Sequence, residues 1–70
     1  WTMVCNQLRE LINEPEEIRT TVKVEEYIRN RTQLSRSGVF KVLSQLKEMN
    51  AITISKGILM AVHALPEKQP

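Results

Sequence analysis

One cysteine, one histidine and two glycines are all that this 70-residue chain has of the residue types on which most site chemistry depends. Cys5 has no partner for an internal disulfide, which favours a reducing, cytosolic setting over a secreted one. A zinc site could draw only on Cys5, His63 and carboxylates, and none stands at ligand spacing. No metal or other cofactor is therefore expected, and Cys5 reads as a half-buried thiol of the first helix. Gly38 and Gly57 are too far apart to make a Gly-rich phosphate loop. There is no apolar run near the roughly 18 residues a membrane span needs, and no signal-peptide pattern. Acids concentrate in the first 26 residues without a second carboxylate or a histidine at a defined spacing. That leaves catalysis without a constellation, and the chain reads as a non-enzyme.

Apolar residues make up 41% and charged residues 26%, the balance of an ordinary globular domain. A chain this short forms one small domain with slim stability. Its net charge of +2 decides little, but the distribution is uneven. Residues 9–26 carry six Glu against Arg9, Arg19 and Lys23. Residues 29–47 carry Arg29, Arg31, Arg36, Lys41 and Lys47 and no acid. That basic block is a footprint for a polyanion, or else a solvated charged face. The domain is expected over residues 1–65, with 66–70 a polar, proline-flanked tail or linker to a missing region.

Along the chain, "TMVCNQLRELINEP" places Val4, Leu8, Leu11 and Ile12 on one helical stripe, with Thr2 able to cap the start and Pro15 ending it. "EEIRTT" is expected as a loop or short extended piece. "VKVEEYIRNRT" is a second, short helix with Val24, Tyr27 and Ile28 on its apolar face, a Glu25–Arg29 pair at i,i+4, and Thr20 or Thr21 as cap. "LSRSGVFKVLSQLKEMN" is the third helix. Ser35 caps it, Val39, Val42, Leu43, Leu46 and Met49 form a buried stripe, and Asn50 stops it. Phe40, at the edge of that stripe, is expected to pack on the first helix. "AITISKGILMAVHAL" is a β-hairpin turning at Lys56-Gly57, with Ser55 opposite Ile58. Its second arm, Ile58 to Leu65, is apolar on both faces. Either the first helix covers it, or its edge serves another subunit.

The spacing across "YIRNRTQLSRSGVFKVL" resembles a helix-turn-helix, with Ile28, Leu34, Val39 and Val42 packing the second helix on the third. The hairpin behind it makes residues 20–65 similar to the winged helix-turn-helix domains of bacterial, phage and plasmid regulators and replication proteins. The fold this implies is α+β and mostly helical: a three-helix helix-turn-helix core with a C-terminal β-hairpin wing. Two positions depart from the pattern. Gln33 stands where the turn usually has Gly, and Arg29 where a small residue packs between the helices, so either the Arg29 stem turns to solvent or the helix crossing differs.

The resemblance implies sequence-specific binding of double-stranded DNA, with the third helix (about 35–49) in the major groove and the wing at 51–65 beside it. With Val39 at the centre of the buried stripe, steps of about 100° put Ser37, Lys41, Ser44 and Glu48 opposite it. Arg36 can bond guanine or a phosphate. Ser37 and Ser44 can bond bases or phosphates, and Lys41 a phosphate. Ser35 and Gln45 join this set, Gly38 lets backbone approach backbone, and Lys56 at the hairpin tip can reach a flanking phosphate. Each charge is equally readable as ordinary solvated surface. Two other functions compete: a winged-helix module for protein contact or oligomerisation, and an RNA-binding winged helix. An uncovered second arm would favour a homodimer on palindromic DNA.

Overall fold

The computed structural model describes residues 1–65; the tail expected at 66–70 lies outside them. α1 (Thr2–Ile12) buries Val4, Cys5, Leu8 and Leu11, the expected stripe, while Ile12 is half-buried. Cys5 is more deeply buried than the half-buried thiol expected, because it lies beside Val4 on the core side. Thr2 does not cap this helix; it is already helical, and the cap position falls on Trp1 with no side-chain bond.

Pro15 ends the first helix and starts another. The segment expected as loop or extended strand is a single helical turn, α2 (Glu16–Arg19). The Pro15 carbonyl accepts from the Ile18 and Arg19 amides at 2.9 Å, and Glu16 and Glu17 sit at the end of the turn that favours negative charge. The Thr20 and Thr21 hydroxyls donate to the carbonyls of Glu16 and Ile18, closing α2 instead of capping the next helix.

α3 (Val24–Arg31) consequently starts at Lys23 with no side-chain cap. Its first free amide finds a partner far away in sequence: Val24 N–H donates to the Gly57 carbonyl at 2.8 Å. α3 closes on Thr32, whose hydroxyl donates to Ile28 O at 2.9 Å and accepts from Leu34 N–H.

α4 (Arg36–Glu48), the helix expected as the third, is capped as the sequence indicates: the Ser35 hydroxyl accepts from Gly38 N–H at 3.1 Å. Val39, Leu43 and Leu46 are buried and Val42 is half-buried. Met49 leaves the stripe, because the helix stops one residue before it and it becomes the exposed C-cap. Asn50 takes a left-handed φ of 58°. Its N–H donates to Lys47 O and that of Ala51 to Leu46 O, the paired bonds of a Schellman stop.

β1 (Ile52–Ser55) and β2 (Ile58–Val62) pair antiparallel, with Ser55 opposite Ile58. Lys56 and Gly57 carry φ of 54° and 81°, the two positive values of a type I′ turn. Pairing passes from Ile54–Leu59 to Thr53–Ala61, so Met60 is an extra, bulged residue and is exposed. This resolves the doubly apolar second arm: Leu59 enters the core, Met60 is turned out by the bulge, and α1 packs over β2. The arm also ends at Val62, short of Leu65.

Arg19, the last residue of α2, reaches β2. Its guanidinium donates to the Leu59 and Met60 carbonyls at the bulge, the latter at 3.3 Å. One charged side chain thus satisfies two edge acceptors of β2. Arg19→Ala is expected to cost about 1–3 kcal/mol, the range for charge-assisted hydrogen bonds. Urea unfolding measures it; an unchanged midpoint would mean that water replaces the guanidinium at no cost.

Candidate nucleic-acid interface

α3, the turn at 32–35 and α4 form the helix-turn-helix, with Ile28, Val39 and the half-buried Leu34 in the shared core. The sequence-derived phase of α4 holds over its body. Val39, Leu43 and Leu46 face inward, and Arg36, Ser37, Lys41, Ser44 and Glu48 are exposed. Lys41 has no ion-pair partner among the described residues. Ser37 Oγ lies 3.4 Å from Ser35 Oγ, which also accepts the capping bond from Gly38 N–H. Gly38 is half-buried, and an added Cβ would stand 3.1 Å from the Ser35 hydroxyl, a tight contact that needs a shift of a few tenths of an ångström. Gln45 is half-buried on the flank of the helix, apart from the exposed face.

Phe40 departs from expectation. It is 45% exposed and does not pack on α1, because at about 100° from Val39 it falls beyond the buried arc. The Arg36 guanidinium carbon lies 5.6 Å from its ring centroid, within cation–π range. Arg36 Nε also lies 3.2 Å from Glu25 Oε1. The other oxygen of the same carboxylate accepts from Arg29 Nε at 2.8 Å. The Arg29 side chain is partly exposed, with its Nε turned onto the buried Glu25 carboxylate. Arg31 lies over the half-buried Tyr27 ring, 4.3 Å from its centroid.

A cleft of ≈ 380 Å³ opens between α3, α4 and the hairpin, with Glu25, Arg36, Phe40, Lys47 and Ile54 on its walls and Lys23 at its mouth. The hairpin tip exposes Lys56, whose carbonyl accepts from Lys23 Nζ at 2.8 Å. The tip therefore carries two cations, one from each side of the chain. His63, just past the end of β2, shares an exposed hydrogen bond of 2.8 Å between its Nε2 and Thr53 Oγ1.

Sequence reasoning missed Lys23, Glu25 and Phe40. The i,i+4 spacing exposed the Glu25–Arg29 pair but no local signal links Glu25 to Arg36 across the turn. Lys23 joins Lys56 only because the hairpin docks on the start of α3, a long-range event. Phe40 was legible on a stricter helical wheel.

Three helices around a core, a capped second helix of the pair with a polar outer face, and a hairpin beside it define a winged helix-turn-helix. The chain belongs to the winged helix-turn-helix DNA-binding family, which it matches over residues 1–67. It is 39% identical over 61 residues to proteins named "Inhibitor of hydrogen peroxide resistance" from Salmonella typhimurium and from Escherichia coli K12. The match takes in 87% of this chain but only 30% of either relative, so the chain spans less than a third of their length. No solved structure matches it.

Proposed function

We propose that this domain binds double-stranded DNA sequence-specifically, with the N-terminal half of α4 in the major groove and the hairpin tip on a flanking phosphate, as the DNA-reading part of a bacterial regulator acting at the nucleoid. The observation that carries the reading is the polar face of α4: Arg36, Ser37, Lys41 and Ser44 are exposed together, while Val39, Leu43 and Leu46 anchor the opposite side. Arg36 and the first turn of the helix are the parts that approach base edges in this docking. Lys41, Lys23 and Lys56 supply phosphate contacts.

Titration of labelled duplexes at several salt concentrations tests this. Lys41→Ala is expected to weaken binding to all sequences alike and to reduce the log–log salt slope by about one. Lys56→Ala acts in the same direction but less, because Lys23 shares the tip. Arg36→Ala is expected to cost about 1–3 kcal/mol on the preferred duplex and to relax preference at one base pair. Unaltered binding by an Arg36→Ala, Lys41→Ala double variant would remove α4 from the interface.

The names of the relatives support a regulator of a peroxide response. Cys5 is a poor candidate for its sensor. Burial pushes the thiol above its ordinary pKa, the nearby Arg9 offsetting only part, and the thiolate is the reactive form. A two-fold dimer on palindromic DNA is the second reading. Exposed Met3, Ile18 and Met60 give it apolar surface, and sedimentation equilibrium of the free chain separates it from a monomer.

A further inference from the structure

We infer that Glu25 sets the sequence selectivity of this domain by holding Arg36 for a base edge and away from the phosphates. The inference rests on the reading of α4 as the element in the major groove. Glu25 is the one buried charged side chain among the described residues, 7% exposed, and it comes from α3, not from the reading helix. Each of its oxygens faces a different arginine: Oε2 accepts from Arg29 Nε at 2.8 Å, and Oε1 lies 3.2 Å from Arg36 Nε. Arg29 thus holds the carboxylate by a hydrogen bond, and the carboxylate draws the Arg36 guanidinium by its charge. The Phe40 ring, 5.6 Å from the Arg36 guanidinium carbon, supports the same group from a second direction.

This arrangement uses the Nε side of Arg36. Its side chain is still 71% exposed, and the two terminal nitrogens have no hydrogen-bond partner among the described residues. Those nitrogens form the edge that pairs in bidentate fashion with O6 and N7 of guanine. A free arginine at the first turn of a helix has nearby phosphates as competing partners, and a phosphate contact carries no sequence information. The carboxylate biases that competition twice. It holds Nε, and its own negative charge sits in the cleft beside the helix, where it disfavours a phosphate.

Glu25 is therefore a positioning residue, and its removal has an unusual signature. Glu25→Gln keeps the size of the side chain and loses the charge. Two duplexes serve as probes: one selected from a random library by the unaltered chain, and a scrambled version. The ratio of the two affinities should fall about tenfold, within the range for one bidentate base contact. Binding to the scrambled duplex should hold or tighten, with a salt slope steeper by about one as Arg36 turns to a phosphate. Phe40→Leu, at an exposed position that leaves the core intact, should lower the ratio in the same direction. In an Arg36→Ala background Glu25→Gln should leave the ratio unchanged, because the two act as one unit.

A Glu25→Gln chain with a lower melting temperature but an unchanged ratio and slope would overturn the inference and leave Glu25 a purely structural residue. So would an undiminished Glu25→Gln effect in the Arg36→Ala background. If the unaltered chain selects no preferred duplex, the major-groove reading itself fails, and this inference falls with it.

Discussion

Leu46→Ala is expected to remove most of the stability of this domain. Leu46 is fully buried on α4, in one cluster with residues of α1, α3 and both strands. Its truncation loses the transfer free energy of the side chain and leaves a cavity that three helices and a hairpin cannot close together, a cost of about 2–5 kcal/mol. A domain of this size has only roughly 4–10 kcal/mol to lose. Thermal melting followed by circular dichroism measures the loss. Met49→Ala is the control: Met49 is exposed at the C-cap, and its melting temperature should stay close to that of the unaltered chain. A Leu46→Ala chain that melts normally would mean that the phase of α4 is wrong, and the face assigned to DNA would turn with it.

Gly57→Val should have the next largest effect. Gly57 has φ +81°, where a β-branched side chain is strained. A Cβ there would also meet Lys23 Cδ at 2.9 Å. The Lys23 side chain can move aside, but doing so breaks its bond to the Lys56 carbonyl. The backbone strain has no such outlet, since the Gly57 carbonyl is held by Val24 N–H. A cost of about 1–3 kcal/mol follows from the conformation alone. Gly57→Asn, which tolerates positive φ, should lose clearly less. Equal melting of the Val and Asn variants would refute the turn geometry. On DNA, the Val variant should also lose affinity for every sequence, because Lys23 and Lys56 are displaced together.

How far the sequence could be read depended on the range of the interaction. The Ser35 cap, the Asn50 stop, the Lys56-Gly57 turn and the inward Val39, Leu43 and Leu46 of α4 are written in a few neighbouring positions, and they hold; Met49, expected on the same stripe, falls past the helix end. Pro15 signals the end of α1 because it disfavours helix before it; that it also favours a helix after it, with two glutamates to follow, is an equally local signal. The bulge at Met60 was legible only as a failure of alternation in "ILMAV". Arg19 on the β2 carbonyls, Lys23 beside Lys56 and Glu25 beside Arg36 join residues that only the fold brings together. No spacing rule reaches them. Of the candidate interface, the polar face of α4 was therefore visible at once, while Lys23 and Glu25 beside it were not.

The bond from Val24 to Gly57 ties the hairpin to the start of the helix-turn-helix. An amide in the first turn of a helix is ordinarily open to solvent and exchanges its proton freely. At Val24 that proton is covered by the tip of a hairpin more than thirty positions away. Its exchange rate is set not by the fraying of α3 but by how often the hairpin lifts, and the Val24 amide works as a clock for the opening of the wing.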